Sequence, residues 1–476
     1  MKRPNILVLY TDQQRWDALG ANGNRQIKTP HMDGLAAEGL NYDHHFVQNP
    51  VCMPSRLSFL AGQYPSTLRI THMAVPVPED TVILPHLLRN YGYRSANIGK
   101  LHFLPHANRD HRQPHPAYGF DHLEISDEPG CYEDAYRAWV RRTAPEQLDK
   151  VSLGLPPMAG FWNEKMGYKD TVPHPPERFD HFVGPFRGAS NMTHSAFVAE
   201  QTCEYLRAQR DGPFLCIAGF YNPHAPWVVP QEYLDLYDPA AMPVPLFPPE
   251  LDARRAGKPG LPANNPDQLM AGLDDACLRR VRQGYYAMVS EVDHHVGRIL
   301  ACLRELGIAD DTIVVFISDH GEFMGEHLRY GKGYPAPDCI SRVPLIVRYP
   351  RGISRPGKTI SEIVEAVDVL PTLLEWAGIP VPAHLQGLPL PTAEGQSGRA
   401  SALLECAGWK ALRTREHRYI SKADGGEVLI ELAGDPGEYH NLAADPGHAA
   451  ALSDCRREML RRLIAMERPL PRTWPY

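Results

Sequence analysis

The sequence predicts an α/β fold: a large, mainly parallel sheet flanked by helices, followed by a smaller antiparallel α+β unit. Three observations carry this. Apolar runs of strand length at 6–10, 213–219 and 312–317 are too continuous for a half-exposed sheet and read as strands buried on both faces. Helical segments separate them, the longest at 275–306, with Tyr286, Val289, Val292, Val296, Ile299 and Leu303 on one stripe. After residue 380 the pattern changes to short strand candidates that follow one another without helices.

The run at 6–10 lies between Pro4 and the polar Thr11-Asp12-Gln13-Gln14, so its carboxyl end delivers Asp12 and Gln13. A helix is expected at 32–39, entered through Thr29-Pro30, another at 55–61 after Pro54, and a third at 84–91. A strand at 93–98 ends at Gly99-Lys100. Residues 103–190, rich in His, Pro and aromatics with poor periodicity, read as long loops over the active face. A helix at 195–209 precedes the strand at 213–219, which runs into Tyr221-Asn222-Pro223-His224-Ala225-Pro226. The strand at 312–317 ends at Ser318-Asp319-His320-Gly321, and one more strand is expected at 343–349. The division is therefore 1–380 for the catalytic unit and 381–476 for the second. The second holds strands at 403–407, 409–413, 417–421 and 428–432, a helix at 449–466, and a Pro-rich, aromatic tail from Arg468. That tail suits either an arm onto another subunit of a homo-oligomer or a loose end.

Composition narrows the function. With 43% hydrophobic and 22% charged residues over 476 positions, the chain has ordinary globular composition. A net charge of -7 offers no basic surplus for phosphates, so no nucleic-acid partner is expected. The 9 cysteines are odd in number and widely spaced, with no C-x-x-C pair, which suits a reducing compartment better than a disulfide or zinc scaffold. The run at 6–10 is too short for a secretory core, and no stretch approaches the ~20 apolar residues of a membrane span. A cytoplasmic protein with no membrane partner is expected.

Carboxyl ends of strands converge on one crevice in an open α/β sheet, so Asp12-Gln13 and Asp319-His320 should meet. Two carboxylates, an amide oxygen and an imidazole form a mainly hard-oxygen shell suited to calcium, magnesium or manganese. A single Asp at a strand end is as readily a helix cap or turn residue. Among the other histidines, His106, His111 and His115 vary in spacing and read as loop residues. The helical Asp293-His294-His295 face different directions, and His44-His45 carry no motif.

Cys52-Met53-Pro54-Ser55-Arg56, with Gly62 beyond it, resembles the signature of the sulfatase family, whose cysteine a formylglycine-generating enzyme oxidises after translation. Further blocks resemble the same family in the same order. They are the opening strand with Asp12, Gly99-Lys100-Leu101-His102, Tyr118-Gly119-Phe120-Asp121, Pro223-His224-Ala225-Pro226, Ser318-Asp319-His320-Gly321-Glu322 and Gly331-Lys332. Two more are Asp368-Val369-Leu370-Pro371-Thr372-Leu373-Leu374 and Asp435-Pro436-Gly437-Glu438. The resemblance spans nearly the whole chain and implies the alkaline-phosphatase fold.

It also implies roles. Formylglycine from Cys52 would be the nucleophile and a metal ligand, beside Asp12, Gln13, Asp319 and His320 on one divalent ion. Calcium is favoured, with manganese, magnesium or zinc as alternatives. Arg56 would hold the nucleophile and the acidic ligands. His102, near Lys100, would take the proton as the nucleophile is regenerated. Lys332 and His224 would bind the oxygens of a small anionic ester, and one of them would protonate the leaving alcohol.

Two positions depart from the commonest pattern. Gln13 stands where many members have a second Asp, and His320 where many have Asn. The combination resembles the branch with phosphonate monoester and phosphodiester hydrolases and, at Asp319-His320-Gly321, choline sulfatase-like enzymes. Sulfate monoesters, phosphodiesters and phosphonate monoesters each carry one negative charge, so charge alone does not rank them. Sulfate-ester hydrolysis is the first expectation and phosphonate or phosphodiester hydrolysis the second. A non-catalytic binding protein with an unmodified Cys52 is a remote third.

Overall fold

The computed structural model describes residues 3–467 apart from 107–108, 112, 157, 170–171, 176–180, 210–211, 257–272, 394 and 397. The Pro-rich tail lies outside the described residues, and with it the choice between an arm and a loose end.

The large sheet has eight strands: β1 (Asn5–Thr11), β2 (Leu40–Tyr42), β3 (Arg94–Gly99), β4 (His122–Ile125), β5 (Phe214–Gly219), β6 (Thr312–Ser318), β7 (Leu345–Arg348) and β8 (Lys358–Ile360). Their order is β8-β2-β7-β6-β1-β5-β3-β4. Only the pairings of β7 with β6 and with β2 are antiparallel. The remaining pairings are parallel.

Side chains alternate across a strand, and β1 shows the consequence. Ile6, Val8 and Tyr10 enter one core with Leu57, Phe59 and Leu60 of helix α1 (Cys52–Ala61) and Leu373. Leu7 and Leu9 enter the opposite core with Phe197 and Val198 of α2 (His194–Ala208) and Val292, Val296 and Ile299 of α3 (Asp275–Glu305). Both faces of the strand are covered, which explains its unbroken apolar run. Each such side chain stabilises by ~1.5–3 kcal/mol relative to exposure. Antiparallel neighbours need no crossover helix, so the 319–344 connection stays at the carboxyl ends of the parallel strands. That placement puts Lys332 over the site.

Residues 103–190 correct the expectation of long loops. β4 pairs with β3 as an edge strand, and a helix at Ala135–Thr143 buries Tyr136, Trp139 and Val140. Its apolar stripe is three residues in nine, interrupted by three arginines, so periodicity is hard to see. Asp134 caps it by accepting from Arg137 N at 3.0 Å.

The four-stranded antiparallel sheet joins β9 (Ala402–Cys406), β10 (Trp409–Arg413), β11 (His417–Lys422) and β12 (Glu427–Glu431) in sequence order. One face packs Leu404, Ala411 and Ile420 on Phe323 and Ile340. The other packs Leu412, Tyr419 and Leu429 under the C-terminal helix Ala449–Met466. Partly buried ion pairs cross position 380: Asp338 with Arg413 at 2.9 Å and Arg418 at 2.6 Å, and Glu365 with Arg462 at 2.8 Å. No helix among the described residues is long and apolar enough to cross a membrane.

Candidate active site

Three adjacent structural features build the site. β1 and β6 are direct neighbours, with Thr11 opposite Ser318, so Asp12-Gln13 and Asp319-His320 leave the sheet side by side. Cys52 is the first residue of α1, at the positive end of a ten-residue helix. Arg56 lies one turn on, on the same face. Asp12, Cys52, Asp319 and His320 are buried, and one ligand atom from each lies within 4.8 Å of all the others.

Arg56 is 1% exposed and spends its donors on this cluster. Nε donates to Asp319 Oδ2 at 2.7 Å and an Nη to Asp12 Oδ2 at 3.4 Å, while the backbone oxygens of Lys100 and Thr11 accept from the same guanidinium. The Tyr10 ring lies 4.4 Å beneath it. Ser55 Oγ donates to Asp319 O at 2.5 Å. Lys100 Nζ pairs with Asp12 Oδ2 at 2.8 Å. It is carried there by the close approach of β3 and β5, where a Cβ on Gly219 would lie 2.2 Å from Lys100 O. Burial alone would raise Asp12. Lys100, His224, Lys332 and Arg56 instead hold it well below the usual carboxylate range.

His320 Nδ1 lies 2.9 Å from Gly321 O, which can only accept, so Nδ1 carries the proton and Nε2 offers its lone pair. Nε2 faces Cys52 Sγ at 3.1 Å, and burial pulls His320 down to about 4, keeping it neutral. Burial, reinforced by Asp12, pushes the Cys52 thiol up to about 12 against the pull of Lys332. Lys332 Nζ lies 2.8 Å from Cys52 Sγ, 3.2 Å from Gln13 Oε1 and 3.0 Å from His224 Nε2. His224 Nδ1 donates to Ala225 O at 2.7 Å, which turns Nε2 toward Lys332.

Gln13 sits at φ 70, held from both sides of its backbone. Its N–H donates to Asp319 Oδ1 at 3.0 Å and its carbonyl accepts from Tyr285 Oη at 2.7 Å. His102 is 2% exposed, with φ 57, and its N–H donates to Asp127 at 2.8 Å. Neither ring nitrogen has a hydrogen-bond partner among the described residues. Burial, then the charge of Lys100, holds the ring neutral.

Asp12, Gln13, Cys52, Arg56, Lys100, His224, Asp319, His320 and Lys332 thus form one contact network, and His102 adjoins it through Lys100. His44 pairs instead with Asp43, and His45 faces Val343 O. Asp293 accepts the backbone N–H groups of His31 and Met32. Glu322, Asp127, Tyr221 and Tyr285 are not singled out by the sequence. Only Glu322 stands within a family-like block; the others carry no local signal and enter through tertiary contacts.

The family model described as Sulfatase matches residues 4–379, and that for the C-terminal part of N-sulphoglucosamine sulphohydrolase matches 325–466. An arylsulfatase of Clostridium perfringens (strain 13 / Type A) is 27% identical, the match covering 98% of this chain and 95% of the relative. The multifunctional alkaline phosphatase superfamily protein PehA of Trinickia caryophylli is 28% identical, covering 97% and 95%. The crystal structure of a phosphonate monoester hydrolase of Agrobacterium radiobacter superposes with a TM-score of 0.80 at 25% identity, covering 98% of this chain and 96% of that one. The fold is alkaline-phosphatase-like. With the Sulfatase match running through β1, α1 and the whole eight-stranded sheet, the chain belongs to the sulfatase family.

Proposed function

We propose that the protein hydrolyses sulfate esters, with residue 52 acting as formylglycine made from Cys52 by a formylglycine-generating enzyme. The observation that carries this reading is the convergence on Cys52 Sγ of His320 Nε2 at 3.1 Å and Lys332 Nζ at 2.8 Å, beside Asp12 and Asp319. The donor set fits a divalent ion: two buried carboxylates, a neutral imidazole with its lone pair turned inward, and the Gln13 amide oxygen. Such an ion, held by these residues, would polarise an ester oxygen and acidify a hydroxyl, which formylglycine in its hydrated form would supply.

The chain's own residues do the rest. Arg56 and Lys100 hold Asp12 ionised, and Arg56 fixes the position of Asp319. Lys332 presents its ammonium where the anionic ester must lie. Because His224 Nε2 accepts from that ammonium, Lys332 holds the proton that the leaving alcohol needs. His102, buried and with neither ring nitrogen bonded among the described residues, would accept a proton when residue 52 returns to its starting state. A positioned acid or base contributes ~10²–10⁴-fold.

A second reading, phosphonate monoester or phosphodiester hydrolysis, draws support from the Gln13 amide and His320 imidazole and from the Agrobacterium relative. Comparing kcat/KM for an aryl sulfate and an aryl phosphonate monoester ranks the two. Preference for the phosphonate by orders of magnitude would make phosphonate hydrolysis the primary activity and sulfate hydrolysis the secondary one. The mass of the tryptic peptide containing residue 52 tests the nucleophile, since conversion removes ~18 Da whereas thiol oxidation adds mass. A peptide that keeps its cysteine mass after co-expression with a formylglycine-generating enzyme would favour the non-catalytic reading.

A further inference from the structure

We infer that Glu322 is a positioning residue that decides which end of the Gln13 amide faces the metal site; this rests on the proposed metal site. Both side chains are buried, Glu322 at 0% and Gln13 at 1% exposure. Gln13 Nε2 donates to Glu322 Oε2, and Gln13 Oε1 accepts from Lys332 Nζ at 3.2 Å. A carboxylate only accepts and an ammonium only donates, so the two neighbours impose the same amide orientation from opposite ends.

That orientation matters because an amide, unlike a carboxylate, has two chemically different ends. Rotation by 180° about the terminal bond meets no strong intrinsic preference, yet it replaces a ligand oxygen with an NH₂ group that cannot bind a cation. An Asp at this position would not need such a device, since both of its oxygens are ligands. Glu322 therefore supplies what the Gln13 departure requires. Its other oxygen, Oε1, accepts from Met324 N at 3.0 Å and Gly331 N at 2.6 Å, fixing the turn that leads into Lys332. One carboxylate thus sets both the Gln13 oxygen and the start of the Lys332 segment.

An isosteric swap separates these two jobs. Mn²⁺ would be titrated by calorimetry into chelator-treated enzyme for wild type, Glu322→Gln, Gln13→Glu and the double variant, with circular dichroism checking the fold. Glu322→Gln, which leaves two amides facing each other, should weaken Mn²⁺ binding about 10–100-fold. Gln13→Glu should also weaken it, although a carboxylate is the stronger ligand, because two buried carboxylates then meet. The double variant exchanges donor and acceptor and should bind within about threefold of wild type. Unchanged binding in Glu322→Gln, or a loss that persists in the double variant, overturns the inference and leaves Glu322 only its loop role. Tighter binding by Gln13→Glu overturns it too, and that variant is readable even where Glu322 variants fold poorly. Mn²⁺ affinity retained by Asp319→Asn instead overturns the metal reading itself.

Discussion

The Asp12–Asp319 end and the His102 end of the site are equally buried but bonded in opposite ways. At the first, Asp12 and Asp319 are held by Arg56, Lys100 and the Gln13 backbone N–H, and His320 is locked through Gly321 O. At the second, the backbone of His102 is pinned by Asp127 while neither ring nitrogen is bonded among the described residues. A buried polar group without a partner costs ~1–3 kcal/mol, so the open ring is a cost to the fold. The difference teaches that the protein saturates the fixed charges at one end and leaves the imidazole at the other with bonding capacity to spare.

The contrast can be broken at several points. Cys52→Ala should lower aryl sulfate turnover by more than about 10³-fold, with circular dichroism and metal content nearly unchanged. Retained activity would refute the nucleophile assignment. Arg56→Ala strands Asp319 with no guanidinium and should cost about 3–5 kcal/mol in urea unfolding as well as activity. A loss of activity with no change in the unfolding midpoint would mean that the saturation of the Asp12–Asp319 end is not a stability device. His102→Ala should behave in the opposite way, cutting kcat by ~10²-fold or more while leaving the midpoint unchanged or raised. A destabilised variant with normal kcat would erase the distinction between the two ends.

The smallest effect concerns acid. His194 Nε2 donates to Ser126 O at 3.1 Å, and burial pulls the ring from its ordinary 6.5 to about 4. The unfolded chain therefore takes up this proton first as pH falls. The stability it contributes is complete above 6.5 and is lost between 6.5 and about 4. Burial raises Glu291 and Asp293 to about 7, and they act with the opposite sign in the same range, so the informative quantity is a difference. His194→Gln should lose about 1–2 kcal/mol less than wild type when urea midpoints are compared at neutral and acidic pH. Identical losses would show that His194 is not kept neutral by the fold.

Much of the site is legible in the sequence because each motif sits at a chain landmark. Asp12 and Asp319 end apolar runs, Cys52 opens a helix, and the helical period places Arg56 beneath it. Glu322 is visible only as part of a motif, because its role depends on Gln13, a partner 309 positions away along the chain. β4 and the helix Ala135–Thr143 escape a sequence reading because a four-residue edge strand and a three-residue apolar stripe carry too little pattern to outweigh the surrounding His and Pro.

By itself the sequence determined the buried strands, the helices that cover them and the family to which the chain belongs, because local periodicity and motif spacing are properties of the unfolded chain as much as of the folded one. Only the tertiary structure decided that β7 runs against its neighbours, that Lys332 Nζ lies 2.8 Å from Cys52 Sγ, and which end of the Gln13 amide faces inward. These are settled by pairing and by donor–acceptor matching between distant segments, and no window of sequence contains both partners.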